Sequence, residues 1–301
     1  MPPEVQSVRI DPVILQATLE KKLADLPPLP VAVTRIMQAV TDPNTSAEDL
    51  NKLISMDQGL ASKVLRVVNS SYYGFPKRIS TITHAVLMLG FSTVRNLVLG
   101  VSAFGLMGQK SMPYGLNRAT FWEHSIATAV AGAVVARKRL PDASSAPDEA
   151  FVGGLLHDHG KLFLDSYFRV EFAVAMAYAA RDKKTSIEAE NRVLGINHTV
   201  VGRRIAECWN FPSHLVAIIG SHHEPARETE HFEMTALVHA GNWLAWDCGF
   251  IASEHTRQHP LDSTVVEWLS FDRMTMEHLK REVVERVKAC EELLSLGREL
   301  K

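Results

Sequence analysis

The sequence predicts an all-α protein, and three observations carry that prediction. Apolar residues recur at the three-and-four spacing of a helix in one run after another. Those runs are separated by Pro, Gly, Asn and Ser, the residues that cap and end helices. No stretch reads as a strand. The 301 residues exceed what a single core readily fills, so two helical units are expected, a bundle over 1–110 and a second domain over 112–301.

The first helix covers 12–25 and is stopped by Leu26-Pro27-Pro28-Leu29-Pro30. A second runs from Val31 to Thr41, with Val33, Ile36, Met37 and Val40 as its apolar stripe. Ser46 is an N-cap, because Asp49 lies three residues on and Leu50, Leu53 and Ile54 follow at helical spacing. Residues 59–69 are helical again, burying Leu60, Val64, Leu65 and Val68. The connector Asn69-Ser70-Ser71-Tyr72-Tyr73-Gly74-Phe75-Pro76 is turn-rich and carries three aromatics. Helices near 81–89 and 92–106 complete the bundle. The pair 46–56 and 59–69 has the length of a helix-turn-helix. A DNA reader needs a basic, polar second helix, and this one offers only Lys63 and Arg66 among Ala, Val and Leu, so packing is the expected role.

A second unit begins near Met112-Pro113-Tyr114-Gly115. Asn117 caps a long helix reaching about Leu140, where Arg137-Lys138-Arg139 suit the negative end of the macrodipole. His124 lies on it among Phe121, Trp122, Ile126 and Ala127. After a loop over 141–147, Pro147-Asp148-Glu149 opens a helix that ends at His157-Asp158. Thr185-Ser186-Ile187-Glu188 is a capping box for a helix closed by Gly195. His198 opens the helix to Trp209, and Pro212 precedes another that ends at His222-His223-Glu224-Pro225. Residues 231–247 contain His239 and Asn242. The last helix, Thr275 to Leu300, is amphipathic and charged, as suits docking or dimer formation.

Composition excludes several function classes. With 46% apolar and 22% charged residues the chain is an ordinary globular protein, and a formal charge of −2 gives no nucleic-acid or membrane footprint. Cys208, Cys248 and Cys290 are odd in number and far apart, which argues for a reducing compartment. No apolar signal region or membrane-length run is present, so a cytoplasmic location is expected. There is no Gly-rich phosphate loop, no nucleotide fingerprint, no clustered Cys pair and no marked elbow serine.

The chemistry concentrates in the histidines. In Gly153-Gly154-Leu155-Leu156-His157-Asp158-His159-Gly160-Lys161-Leu162, an apolar helix end presents an imidazole beside a carboxylate, and both ligate divalent metals. Lys161 follows His157 by four residues, and Gly160 offers a helix terminus without a Cβ. Thirteen histidines is a surplus, and His124, His157, His198, His222 and His223 all fall on apolar helices or at their ends. His222-His223 repeats the device of His157-Asp158, two adjacent donors at a helix end. His159, His231, His255, His259 and His278 lie in polar or loop contexts and are read as surface residues.

The order His124, His157-Asp158 with Lys161, His198, His222-His223 resembles the HD superfamily of metal-dependent phosphohydrolases. Within it the chain looks like the HDOD family, on Leu26-Pro27-Pro28-Leu29-Pro30, Asn69-Ser70, Ile82-Thr83-His84-Ala85-Val86-Leu87-Met88-Leu89-Gly90 and Phe121-Trp122-Glu123-His124-Ser125. That resemblance spans about 20–250 and implies an HD-type second domain in a bacterial signalling or regulatory module, a family mostly without demonstrated catalysis. It implies metal ligation by His124, His157, Asp158, His198, His222 and His223, with Asn242 where HD enzymes place a late Asp. In an active member Asp158 and Lys161 would be the catalytic pair. The site also resembles that of the HD-GYP cyclic-di-GMP phosphodiesterases, but departs from it in three places. Thr120 stands where those carry Glu, Asn242 replaces Asp, and Pro225-Ala226-Arg227 follows Glu224 in place of Gly-Tyr-Pro.

Little or no catalysis is therefore expected, with a metal-dependent phosphohydrolase acting on a nucleotide or cyclic dinucleotide as the alternative. A donor set this rich in nitrogen suits one or two transition-metal ions, iron first and manganese or zinc next, rather than calcium. The expected partners are a protein or a nucleotide-type signal ligand, with DNA binding only a minor alternative and no membrane. A homo-oligomer is compatible with the last helix.

Overall fold

Residues 12–26, 28–42, 44–106, 116–253, 256–290 and 294 are described by a computed structural model, and all regular structure among them is helical. Pro27, the segment Met112-Pro113-Tyr114-Gly115, His255 and the end of the predicted last helix lie outside the described residues, as does the side chain of Val40. Among the described residues no helix is long and apolar enough to cross a membrane.

The N-terminal bundle consists of α1 (Pro12–Ala24), α2 (Val31–Thr41), α3 (Ala47–Ser55), α4 (Gln58–Val68), α5 (Ile82–Leu89) and α6 (Phe91–Leu106). Its starts follow the predicted chemistry. Ser46 Oγ accepts from the Asp49 amide at 3.1 Å while Asp49 Oδ2 accepts from the Ser46 amide at 3.2 Å, closing a capping box. The core is aliphatic: Val33, Ile36, Leu50, Ile54, Val64, Val68 and Ile82 are buried. On α4 it is Val67 that completes the buried stripe, while Leu65 is half-buried. The α3–α4 pair thus turns its apolar face inward, as the packing reading requires. Asn69 pins the connector, donating to Leu65 O at 2.8 Å and Ile79 O at 2.7 Å and accepting from the Ile79 amide at 2.7 Å.

The second unit is built around α7 (Arg118–Arg139), which packs against α8 (Ala146–Leu156) and α14 (Phe232–Asp247). Its helices approach closely because glycine and alanine line the contacts. A Cβ on Gly154 would lie 2.6 Å from the Ala129 nitrogen, and one on Gly241 would lie 2.5 Å from the Gly132 nitrogen. Tyr72 stacks on Phe151 of α8 at 4.0 Å between ring centroids, which joins the bundle to this unit.

Two regions differ from the sequence expectation. The stretch between His157-Asp158 and Thr185, assigned no helix, forms α9 (His159–Tyr167) and α10 (Arg169–Asp182), and the connector after α14 contains the short α15 (Ser263–Leu269). Between them lie α11 (Ser186–Leu194), α12 (His198–Cys208) and α13 (Ser213–Ser221), close to their predicted limits. Gly160 is no terminus. It sits in the first turn of α9, where a Cβ would lie 2.0 Å from the His198 carbonyl oxygen, so it lets α9 and α12 touch backbone to backbone. The last helix, α16 (Arg273–Ala289), starts two residues early because Asp272 Oδ1 caps it, accepting from the Thr275 amide at 2.7 Å. Its stripe of Leu279, Val283 and Val287 is buried, and the helix packs on α7 and α14 of its own chain.

Candidate metal centre

Apart from Asn242, each candidate ligand sits where a helix begins or ends, or on the buried α7. His157 and Asp158 form the turn between α8 and α9, His198 is the first residue of α12, and His222-His223 follow the end of α13. His124 projects from the buried second turn of α7. Helix termini expose donors without interrupting a ladder of backbone hydrogen bonds, so four helices can point into one small volume.

Asp158 lies at the middle, fully buried. Its Oδ1 is 3.2 Å from His198 Nε2 and 3.6 Å from His222 Nε2. Its Oδ2 is 3.4 Å from His157 Nε2, 3.8 Å from His124 Nε2 and 2.7 Å from Lys161 Nζ. Two donor groups result, Asp158 with His198, His222 and His223, and Asp158 with His124 and His157, the donor atoms of each lying within 4.8 Å of one another. The carboxylate is common to both.

The outer face of these rings explains why the inner face suits a cation. Nδ1 of His157 is 2.7 Å from Gly154 O, that of His124 is 2.8 Å from Phe250 O, and that of His222 is 3.1 Å from Ile219 O. A carbonyl oxygen only accepts, so Nδ1 carries the proton and Nε2 presents a bare lone pair. Those lone pairs face the oxygens of a carboxylate. Nε2 of His157, His198 and His222, both ring nitrogens of His223 and Oδ1 of Asp158 are buried without a hydrogen-bond partner. Lone pairs that converge in a buried site are costly unless a cation or other donor lies among them. The residues therefore fit a metal.

The electrostatics agree. Burial pushes the His124 pKa down to about 3 and holds those of His222 and His223 well below the ordinary range, which keeps these rings neutral and ready to ligate. Burial would raise Asp158, but the Lys161 ammonium and the neighbouring His157 outweigh it and hold the carboxyl well below its ordinary value. At His198 burial opposes a charge, yet Glu190 and Asp158 prevail and raise the pKa.

Glu190 and His259 were missed in the sequence. Glu190, on α11, is fully buried, and its Oε2 lies 2.8 Å from the His198 amide and 2.6 Å from His198 Nδ1. A carboxylate behind a ligating imidazole fixes the tautomer and raises the basicity of the far nitrogen. His259 was read as a surface residue, but it stacks on His223 at 3.7 Å between ring centroids. His159 is a second correction: it is buried, with Nδ1 2.7 Å from Leu156 O. His231 and His278 keep solvent contact.

Asn242 lies on α14, lining a small cavity with His223, Trp246 and His259, and its Oδ1 is buried without a hydrogen-bond partner. His239 on the same helix is structural, placing Nδ1 2.6 Å from His222 O and accepting from the Asp262 amide at 2.9 Å. Lys161 does not share a helical face with His157, because the chain turns between them. It reaches Asp158 from the first turn of α9.

Comparison with known proteins identifies the family and the fold. The model of the HDOD domain matches residues 26–225, two thirds of the sequence, and the chain belongs to that family. An HDOD domain protein of unknown function from Geobacter sulfurreducens has a similar structure, with TM-score 0.71, 25% identity and coverage of 94% of this chain and 99% of that one. A proposed phosphohydrolase from Shewanella amazonensis SB2B is similar at TM-score 0.70 and 25% identity, over 95% and 98% of the two chains. A proposed signal transduction protein from Marinobacter aquaeolei VT8 shares the fold at TM-score 0.74 and 22% identity, over 97% and 67%. Among curated sequences an uncharacterized protein of Treponema pallidum (strain Nichols) is 24% identical over 220 residues. The match covers 73% of this chain and spans 42% of that relative's length.

Proposed function

We propose that the protein is a bacterial, cytoplasmic signalling module whose HD-type centre holds one or two transition-metal ions as a binding core, with little or no hydrolysis. The observation that carries this reading is the placement of Asp158 between two sets of imidazoles, of which His157, His198, His222 and His223 bury Nε2 atoms without a hydrogen-bond partner. His198, His222, His223 and Asp158 would hold one ion, and His124, His157 and Asp158 the other, with Asn242 as a neutral further ligand. The nitrogen-rich donors favour iron, with manganese or zinc next. When bound, such an ion would acidify a water and polarise a phosphoryl oxygen.

Three features speak against efficient catalysis. Asn242 stands where the resemblance expects a charged ligand, Thr120 is a helix-start hydroxyl bonded to Asn117 O at 3.1 Å, and no Gly-Tyr-Pro follows Glu224. Lys161 moreover lies on Asp158, so its charge serves the carboxylate first. The regulatory reading is supported by the name of the Marinobacter relative, and it leaves a protein partner or a signal ligand as the output.

The alternative, a metal-dependent phosphohydrolase with Asp158 and Lys161 as its reactive pair, draws on the name of the Shewanella protein. Hydrolysis of cyclic di-GMP and simple nucleotides, measured with iron or manganese supplied, decides between them. The module reading predicts background rates for the wild type and His157→Ala alike. Robust metal-dependent turnover abolished by His157→Ala makes the protein an enzyme.

A further inference from the structure

Four of the imidazoles at the candidate metal centre have their orientation fixed from behind. Nδ1 of His124, His157 and His222 faces a backbone carbonyl oxygen, and that of His198 faces the Glu190 carboxylate. Such a hydrogen bond sets both the ring plane and the tautomer of a ligating histidine. His223 is different. Both of its ring nitrogens are buried, and among the described residues neither has a hydrogen-bond partner.

What His223 has instead is a ring against its face. His259 stacks on it with 3.7 Å between centroids and 30° between planes. That is closer and more parallel than His222 at 4.2 Å and 46°, or His198 at 5.2 Å and 85°. Stacking covers the face of an imidazole and leaves the nitrogens at its edge free for an ion. It fixes the plane without choosing a tautomer, so either nitrogen of His223 can present a lone pair.

The supporting ring is itself anchored. The Arg257 amide donates to Lys184 O at 2.8 Å, Gln258 Nε2 donates to Trp243 O at 2.9 Å, and the Asp262 amide donates to His239 Nε2 at 2.9 Å. These bonds bracket His259 in the chain, so its place is set by α14 and by the residues just ahead of α11. Ser186 Oγ, 3.5 Å from His259 Nε2, lies at the outer limit of a hydrogen bond. Ser186 precedes Glu190 by one turn of α11, and both are buried. One face of α11 thus backs His198 through Glu190 and His223 through His259.

We infer that His259 is a positioning residue for the metal centre, holding the ring of His223 by stacking and not ligating the ion itself. The inference rests on the metal-centre reading above. Titration of the full chain with cobalt(II) tests it, read as visible d–d absorption and as affinity against a competing chelator. His259→Ala is expected to weaken binding by about tenfold and to change the absorption bands. His259→Phe keeps a flat ring without a nitrogen, and its affinity is expected within about threefold of the wild type. In a His223→Ala background, His259→Ala is expected to have no further effect, because the ring it holds is gone.

An affinity and spectrum unchanged in His259→Ala overturn the inference. So does a His259→Phe variant that binds as weakly as His259→Ala, which makes the nitrogen a ligand. An equal loss with and without His223 overturns it as well, since it marks a general loosening of the loop. Any of these results beside full wild-type binding removes this inference alone, whereas a wild-type protein that takes up no cobalt removes the metal centre and the inference together.

Discussion

In the N-terminal bundle, helices meet through layers of Val, Leu and Ile such as Leu50, Ile54 and Val64. Around the candidate metal centre they meet through Gly and Ala, and the nearest atoms are often backbone, as at Gly154 against Ala129 and Gly160 against His198. An aliphatic layer can repack when one methyl is lost or gained. Backbone contact cannot. The contrast shows what a polar centre demands of its scaffold, since donors from four helices must converge on one carboxylate, and rigid helix-to-helix contact is what sets their positions.

The strongest way to break this comparison is to make a change of one carbon in each region, an addition at the site and a deletion in the bundle. Gly160→Ala drives a Cβ into the His198 carbonyl, and a loss of about 3 kcal/mol or more is expected, or no folded protein at all. Ile54→Val in the bundle should cost only about 1 kcal/mol. Urea denaturation of both variants checks it, and equal losses would remove the distinction.

Glu190→Gln sharpens it at the level of the site. The amide oxygen can still accept from the His198 amide and Nδ1, so the fold should persist, but the charge behind the imidazole is gone. Metal affinity should fall by about 10–100-fold, as for other carboxylates behind ligating histidines. Competition against a chelator measures this, and an unchanged affinity assigns Glu190 a purely structural role. Asn242→Asp should act the other way and tighten metal binding by about tenfold, with no comparable rise in hydrolysis. A parallel rise in turnover would mean that only the closing carboxylate had been missing.

The mildest effect is graded with pH. The unfolded chain takes up protons near the ordinary histidine pKa of 6.5, which His124 in the fold refuses down to about 3. Across that window the unfolded state binds more protons, so stability falls as pH drops. His222 and His223 add to the trend, while the raised His198 opposes it. The bundle carries only His84, which is exposed. Hydrogen exchange at pH 5 against pH 7 should therefore show protection lost around α8, α13 and α14 before α3 and α4. Uniform loss would contradict a site-centred origin.

Much of this was legible in the chain because the signals are local. Ser46 with Asp49 and Thr185 with Glu188 announce helix starts within four residues, and both form capping boxes. His157-Asp158 and His222-His223 stand out in the sequence as adjacent donors at a helix end, and the structure brings them together around one carboxylate. What was missed is non-local or unpunctuated. The break between α9 and α10 falls at Phe168, with neither Pro nor Gly to mark it. Glu190 meets His198 from another helix, and nothing on α11 distinguishes it from an exposed glutamate. His259 follows a polar loop and precedes Pro260, so its stacking on His223 is a tertiary fact alone. Gly160 was given a conformational role when its true constraint is the neighbouring helix.

The central claim, that the lone pairs around Asp158 are arranged for a metal, is tested most directly by elemental analysis of protein purified without chelator from metal-replete medium. The account predicts about one to two equivalents of a transition metal in the wild type and a sharp loss in His157→Ala, with helical content retained. Less than about a tenth of an equivalent in the folded wild-type protein would contradict it.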